Sequence, residues 1–240
     1  MKLIQSIFGF LPLFLFSQAS YVSASDYATN VIVATDFSSS YYFEDRFEVI
    51  NNNLGKLGNA VTSRATGLRY PTLFQVIPID ELSQAKRPIC EWTIQERKLI
   101  SREDPCDGER RCSDDPKDAK QYIEDICSKA VVGRGEGGAT DIEGALSLAG
   151  QLAASQSAAE NYLFIFSDME EYRSDDVLST PPDLSGFKVM VVCSAELGAA
   201  GFCMSQNKIW SEQLKSFGAA SVEFVVESSR WNRVAMEMFE

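Results

Sequence analysis

Five apolar runs recur along the chain without alternating polar positions: "NVIVATD" at 30–36, "TLFQVIPID" at 72–80, "NYLFIFSD" at 161–168, "FKVMVVCS" at 187–194 and "SVEFVVES" at 221–228. Runs of this kind suit strands covered on both faces, so a mostly parallel central sheet is predicted. Between them the period changes to that of a helix. Phe43, Phe47, Ile50, Leu54 and Leu57 form one stripe, Ile142, Ala145, Leu146, Ala149 and Leu152 a second, and "NKIWSEQLKSF" at 207–217 is expected to put Ile209, Leu214 and Phe217 on one face. Strands alternating with helices predict a doubly wound α/β fold with helices flanking the sheet. The stretch from about Ser83 to Arg134 breaks the alternation. It reads as a Cys-rich insertion, with a short strand at "CEWTI", a disulfide-tied loop, and a helix near Asp118 to Ala130. The tail "RWNRVAMEMFE" shows no clear motif, and Trp92, Trp210 and Trp231 read as packing residues.

The first residues do not read as fold. Lys2 precedes an apolar run from Leu3 to Phe16, and small residues ending in "VSA" come after it, the layout of a secretory signal cleaved after Ala24. The run is short for a membrane span, and no cysteine lies behind it to carry a lipid anchor; an uncleaved anchor is the rival reading. Residues 25–240 are then expected to form a single domain. Cysteine usage fits export: Cys90, Cys106, Cys112, Cys127, Cys193 and Cys203 make an even set. Many pairings are open to six cysteines, but short loops are the cheapest to close, so Cys106–Cys112, Cys193–Cys203 and Cys90–Cys127 are expected. Zinc is the competing use of these thiols, and it is disfavoured because the chain has no histidine and no Cys-x-x-Cys pair.

Charge narrows the partners. Of 22 basic and 34 acidic side chains only Lys2 lies in residues 1–24, so residues 25–240 carry 21 against 34, a net of −13. Nucleic acid and anionic lipid are poor partners for such a surface, and cations are better ones.

The candidate chemistry lies where strands end, since ligands of open α/β sheets collect at the carboxyl ends. Asp36 ends the first run, with Ser38 and Ser40 just beyond it; Asp168 ends the run at 161–168; Thr140 and Asp141 stand ahead of the second helix stripe. Capping of that helix, with Glu143 completing a capping box, would explain the Thr-Asp pair by itself. It does not explain all three loops.

Together these residues resemble the von Willebrand factor A-like domains, whose metal-ion-dependent adhesion site is written Asp-x-Ser-x-Ser after the first strand, then a Thr on a second loop and an Asp after a later strand. The resemblance runs from about Asn30 to Glu227. It implies a divalent cation, Mg²⁺ or else Mn²⁺ or Ca²⁺, held by Asp36, Ser38, Ser40, Thr140 and Asp168. Hard cations of this kind take oxygen ligands and keep some water. It further implies that the ion grips a carboxylate on a partner protein.

The chain departs from the family where many members place Gly after the last Asp; here "SDMEEY" puts Met169, Glu170 and Glu171. The two extra acids either tune the ion or belong to a solvated loop. "GRGEGG" at 133–138 lacks the spacing of a phosphate-binding loop and reads as a lead-in to Thr140. Without histidine, Ser-His-Asp catalysis is excluded, and no enzymatic activity is expected. The reading is therefore an exported, periplasmic or secreted, adhesion or assembly module. A metal-dependent hydrolase in the same cleft, or a structural subunit of a secretion or surface assembly with a vestigial ion site, are the competitors.

Overall fold

A computed structural model describes residues 27–38, 46–62, 68–94, 127, 130, 139–172, 180–193, 200–226 and 230–240. The signal-like segment 1–24, Ser40, Phe43, Cys106, Cys112, most of the expected helix near 118–130 and the "GRGEGG" stretch lie outside the described residues. Among those described, the elements run β1 (Thr29–Asp36), α1 (Arg46–Thr62), β2 (Thr72–Ile79), a 3₁₀ turn (Ser83–Ala85), β3 (Cys90–Ile94), α2 (Ile142–Gln156), β4 (Glu160–Phe166), β5 (Phe187–Val192), α3 (Ala200–Ser216), β6 (Ser221–Val225) and α4 (Trp231–Met238).

The six strands form one sheet in the order β3-β2-β1-β4-β5-β6. All pairs are parallel except β2 with the edge strand β3, which is antiparallel. The five apolar runs are the five parallel strands, and "CEWTI" is the antiparallel sixth.

The missing polar alternation has a direct cause: both faces are covered. Val31 and Val33 of β1 join Leu54, Leu57 and Val61 of α1 and Trp231, Ala235 and Met238 of α4 in one core. Ile32 and Ala34 point the other way, into a second core with Ile142, Ala145, Leu146 and Ala149 of α2 and Trp210 and Leu214 of α3. Helices therefore lie on both sides, as a doubly wound sheet requires.

Two expectations need correction. Ile209 does not share a buried face with Leu214: it is 52% exposed. The buried stripe of α3 is Cys203, Trp210 and Leu214, which lie seven and four residues apart, close to whole turns of a helix. The tail is also an element in its own right, since α4 sets Trp231, Ala235 and Met238 on one side at spacings of four and three. The Trp231 ring meets Phe166 edge-on at 5.5 Å, and Phe239 packs 5.0 Å from Tyr162 and 5.6 Å from Phe164. Trp92 is half-buried against this core, and Trp210 and Trp231 are buried in the two cores.

Two of the expected disulfides are present. Cys90–Cys127 ties β3 to the far end of the Cys-rich stretch, and Cys193–Cys203 ties the end of β5 to α3. Among the described residues no helix is long and apolar enough to cross a membrane.

Because Trp231 is wholly buried, Trp231→Ala should remove about 3–5 kcal/mol of stability, read as a lowered urea midpoint with little change in slope.

Candidate metal centre

Strand register places the first acid. Thr35 of β1 pairs with Phe166 of β4, so one step further along the parallel strands Asp36 stands beside Ser167. Both continue the face that holds Ile32 and Ala34 on β1 and Leu163 and Ile165 on β4, the side covered by α2. The Ser167 hydroxyl donates to Asp36 Oδ2 at 2.5 Å, and the Ser38 amide donates to Asp36 Oδ1 at 2.8 Å. Both carboxylate oxygens are thus oriented. The bond from Ser38 closes an Asx-type turn, which needs the short side chain of Asp. Phe37 continues the ladder, its amide donating to Ile79 O at 3.0 Å while its ring enters the core, and Ser38 is buried behind it.

The second acid is built the same way. Asp168 Oδ1 accepts from the Glu170 amide at 2.9 Å, and Ser167 Oγ accepts from the Met169 amide at 2.8 Å while it donates to Asp36. Asp168 is partly exposed and Asp36 is not.

The third loop is stitched to the second. Thr140 and Tyr172 exchange both backbone hydrogen bonds, at 2.8 and 3.0 Å, as an isolated antiparallel bridge. Thr140 is not the cap of α2. Asp141 is, with Oδ1 accepting from the Gly144 amide at 2.9 Å and Oδ2 from the Ser83 amide at 3.1 Å, and its own amide donates to Asp80 O at 3.0 Å. The capping-box alternative therefore leaves the Thr140 hydroxyl unclaimed by the helix. Glu171 is no solvated residue either: its Oε2 accepts from the Ile142 amide at 3.0 Å, adding a second acid at the positive end of α2. Glu170 alone of the pair is exposed.

Asp36, Ser38, Thr140 and Asp168 thus stand on three adjoining loops at the carboxyl edge of the sheet, and Ser40 falls outside the described residues. No family model matches the sequence, and no curated protein does. Solved structures are similar in fold. The pilus adhesin SpaC of Lactobacillus rhamnosus GG aligns over 88% of this chain and 31% of its own with a TM-score of 0.50 and 9% identity. The vWF domain of the type V pili tip protein Mfa5 of Porphyromonas gingivalis aligns over 88% and 94%, with a TM-score of 0.47 and 8% identity. Proximal thread matrix protein 1 of the mussel byssus, solved with a zinc-occupied MIDAS motif, aligns over 88% and 47%, with a TM-score of 0.47 and 13% identity. The chain spans about half the length of that mussel protein. With a six-stranded, mostly parallel sheet and helices on both faces, the chain has a von Willebrand factor A-like fold.

Within that fold the departure at Met169 loses its force. Met169 has φ of 63°, the left-handed conformation that explains why Gly is common at this point, and its side chain is buried in the second core. Trp210 Nε1 donates to its carbonyl at 2.9 Å, so the conformation is held from α3.

The electrostatics favour a cation. Burial, first of all, pushes the Asp36 carboxyl up to about 6; the charge of Asp168 adds to the rise, and the bonds from Ser167 and Ser38 hold it partly down. Among the described residues no Lys or Arg pairs with either acid. Among the described residues no group of three His, Cys, Asp or Glu side chains stands ready to hold a metal; Asp36, Asp168, Ser38 and Thr140 carry oxygen donors, which suit a hard ion rather than a soft one. Oxygen donors of these kinds are those a hard divalent cation takes.

Two of these residues escape sequence reasoning. Ser167 carries no motif and becomes visible only through the pairing of β1 with β4. Gly144 matters because a Cβ there would lie 1.9 Å from Asp141 Oδ2, a carboxylate already committed to two amides.

Asp36 gives a pH prediction. A carboxyl whose folded value lies above its unfolded one of 3.8 binds its proton more tightly when folded, so its contribution falls as pH rises from about 4 to about 6. Without metal, Asp36→Asn should match wild type below pH 4 and exceed it above pH 6 by up to about 3 kcal/mol, measured by urea unfolding across that range. Gly144→Ala should lower stability by about 1 kcal/mol in the same assay, because the lost Asp141 bonds outweigh alanine's helix propensity.

Proposed function

We propose that this chain is an exported binding module that holds a divalent cation and uses it to grip an acidic group on a partner protein, in adhesion or in the assembly of a surface structure. The observation that supports the reading is the Asp36 carboxylate, buried with no basic partner among the described residues and hydrogen-bonded by Ser38 and Ser167 at the sheet edge from which the loops of Asp168 and Thr140 also rise. Asp36, Ser38, Ser40, Thr140 and Asp168 would hold the ion. When bound, it would supply a Lewis-acidic position open to an oxygen ligand from outside the chain. The residues of the chain do the rest: the acids bring charge, the hydroxyls add neutral oxygens, and the Asx-type turns fix both.

Mg²⁺ is the expected ion, with Mn²⁺ and Ca²⁺ as alternatives, because oxygen donors predominate. The pili and byssus proteins of similar fold support a role in adhesion or assembly, and the two disulfides support an oxidising compartment outside the cytoplasm. Catalysis is not part of the reading: Ser38 and Ser167 have no imidazole base in a chain without histidine.

Millimolar Mg²⁺ or Mn²⁺ should raise the melting temperature of the purified protein, and chelator should reverse the rise. Asp36→Asn should abolish it. An unchanged melting temperature with every divalent ion tried would overturn the proposal.

A further inference from the structure

The two disulfides among the described residues stand in different relation to the sheet edge that carries Asp36. Cys90–Cys127 ties the edge strand β3 to the Cys-rich stretch. Cys193–Cys203 joins the residue after β5 to the first turn of α3, and both of its cysteines are wholly buried. Cys193 still belongs to the sheet, since its amide donates to Val225 O at 2.9 Å. Its sulfur lies 3.7 Å from the carbonyl oxygen of Asp168.

One residue further along the same turn, α3 makes a second contact. Trp210 Nε1 donates to Met169 O at 2.9 Å in a buried bond. Cys203 and Trp210 are seven residues apart, nearly two turns of α3, so the face that receives the disulfide also carries the indole. Asp168 is therefore anchored on both sides. Upstream, the Ser167 hydroxyl is bonded to Asp36 of β1. Downstream, Met169 holds a left-handed backbone that a residue with a side chain keeps only where its surroundings impose it, and α3 supplies them. The bonds inside the turn, from the Met169 amide to Ser167 Oγ and from the Glu170 amide to Asp168 Oδ1, shape it without attaching it to α3.

We propose that Cys193–Cys203 is a positioning element for the cation site. By pinning α3 to the end of β5 it keeps Trp210 on the Met169 carbonyl, and so keeps Asp168 in place relative to Asp36. The inference rests on the cation-dependent reading above and adds a control to it: opening the disulfide frees α3 to withdraw, the turn relaxes, and the cation is held less tightly. Contacts that orient ligand-bearing groups from outside the coordination shell change metal affinity by about tenfold or more. The effect is reciprocal, so a bound cation must in turn make this disulfide harder to open.

Binding of Mg²⁺ and Mn²⁺ to the full chain is measured by titration calorimetry. Cys193→Ala and Cys203→Ala, made together so that no free thiol remains, should weaken binding about tenfold. Trp210→Phe, which keeps an aromatic ring and removes the donor, should weaken it by a smaller factor. Cys90→Ala with Cys127→Ala is the control: it also loses a crosslink and should melt earlier, yet keep wild-type cation affinity. A second measurement uses the wild-type chain and so depends on no variant's folding. In dithiothreitol, followed by alkylation and peptide mass analysis, millimolar Mg²⁺ should slow the opening of Cys193–Cys203 by about tenfold and leave that of Cys90–Cys127 unchanged. Wild-type affinity without Cys193–Cys203, or Mg²⁺ that protects the two disulfides equally or neither of them, would overturn the inference while the cation reading stands. A wild-type chain that binds no divalent cation would overturn both.

Discussion

A carboxylate out of water, with no basic partner among the described residues, is the constraint around which the upper edge of this molecule is arranged. Asp36 cannot be reached by solvent, and the charge that acts on it, that of Asp168, is of the same sign. Two hydrogen bonds orient its oxygens without neutralising them. Both donors owe their position to the β1–β4 pairing or to the turn after β1, so the acid is poised by the sheet itself. The sheet in turn is fixed by two cores, one on each face, which leave the strands no freedom to slip past one another: a one-residue shift would send Asp36 to the face that Phe37 now fills.

The other loops are bound to this edge by hydrogen bonds, some between backbones and some from a backbone amide to a carboxylate. Thr140 is paired with Tyr172, Asp141 with Asp80 and Ser83, and Glu171 with the start of α2. Three segments distant in sequence therefore behave as one framework. Their acids do different work. Asp141 and Glu171 serve the helix, and Asp36 and Asp168 accept from the turns that follow them.

Much of this is legible in the sequence. Strands covered on both faces leave unbroken apolar runs, so the fold and the strand-end positions of Asp36 and Asp168 can be found by inspection. Cys193–Cys203 comes from closing a short loop, and Cys90–Cys127, 37 apart in sequence, from the two cysteines that short-loop pairing leaves over. The illegible part depends on contacts between elements. Ser167 needs the register of two strands; Ile209 reads onto the wrong face because three apolar residues suggest a stripe that Cys203 and Trp210 in fact define. The short α4 escapes notice because eight residues are too few to hold a helix by propensity, and its place is fixed by packing such as that of Trp231 on Phe166.

Met169 joins the two levels. Its backbone takes a form that most side chains avoid, and in place of the permissive residue common there it has a long thioether sunk in the core to which Ile165, Val191 and Trp210 belong. Rotation about that residue would drag a hydrophobic plug out of its socket and break the indole's grip on the carbonyl. The bend after Asp168 is thereby locked from beneath, and its aim is inherited from the interior rather than left to thermal wandering at the rim.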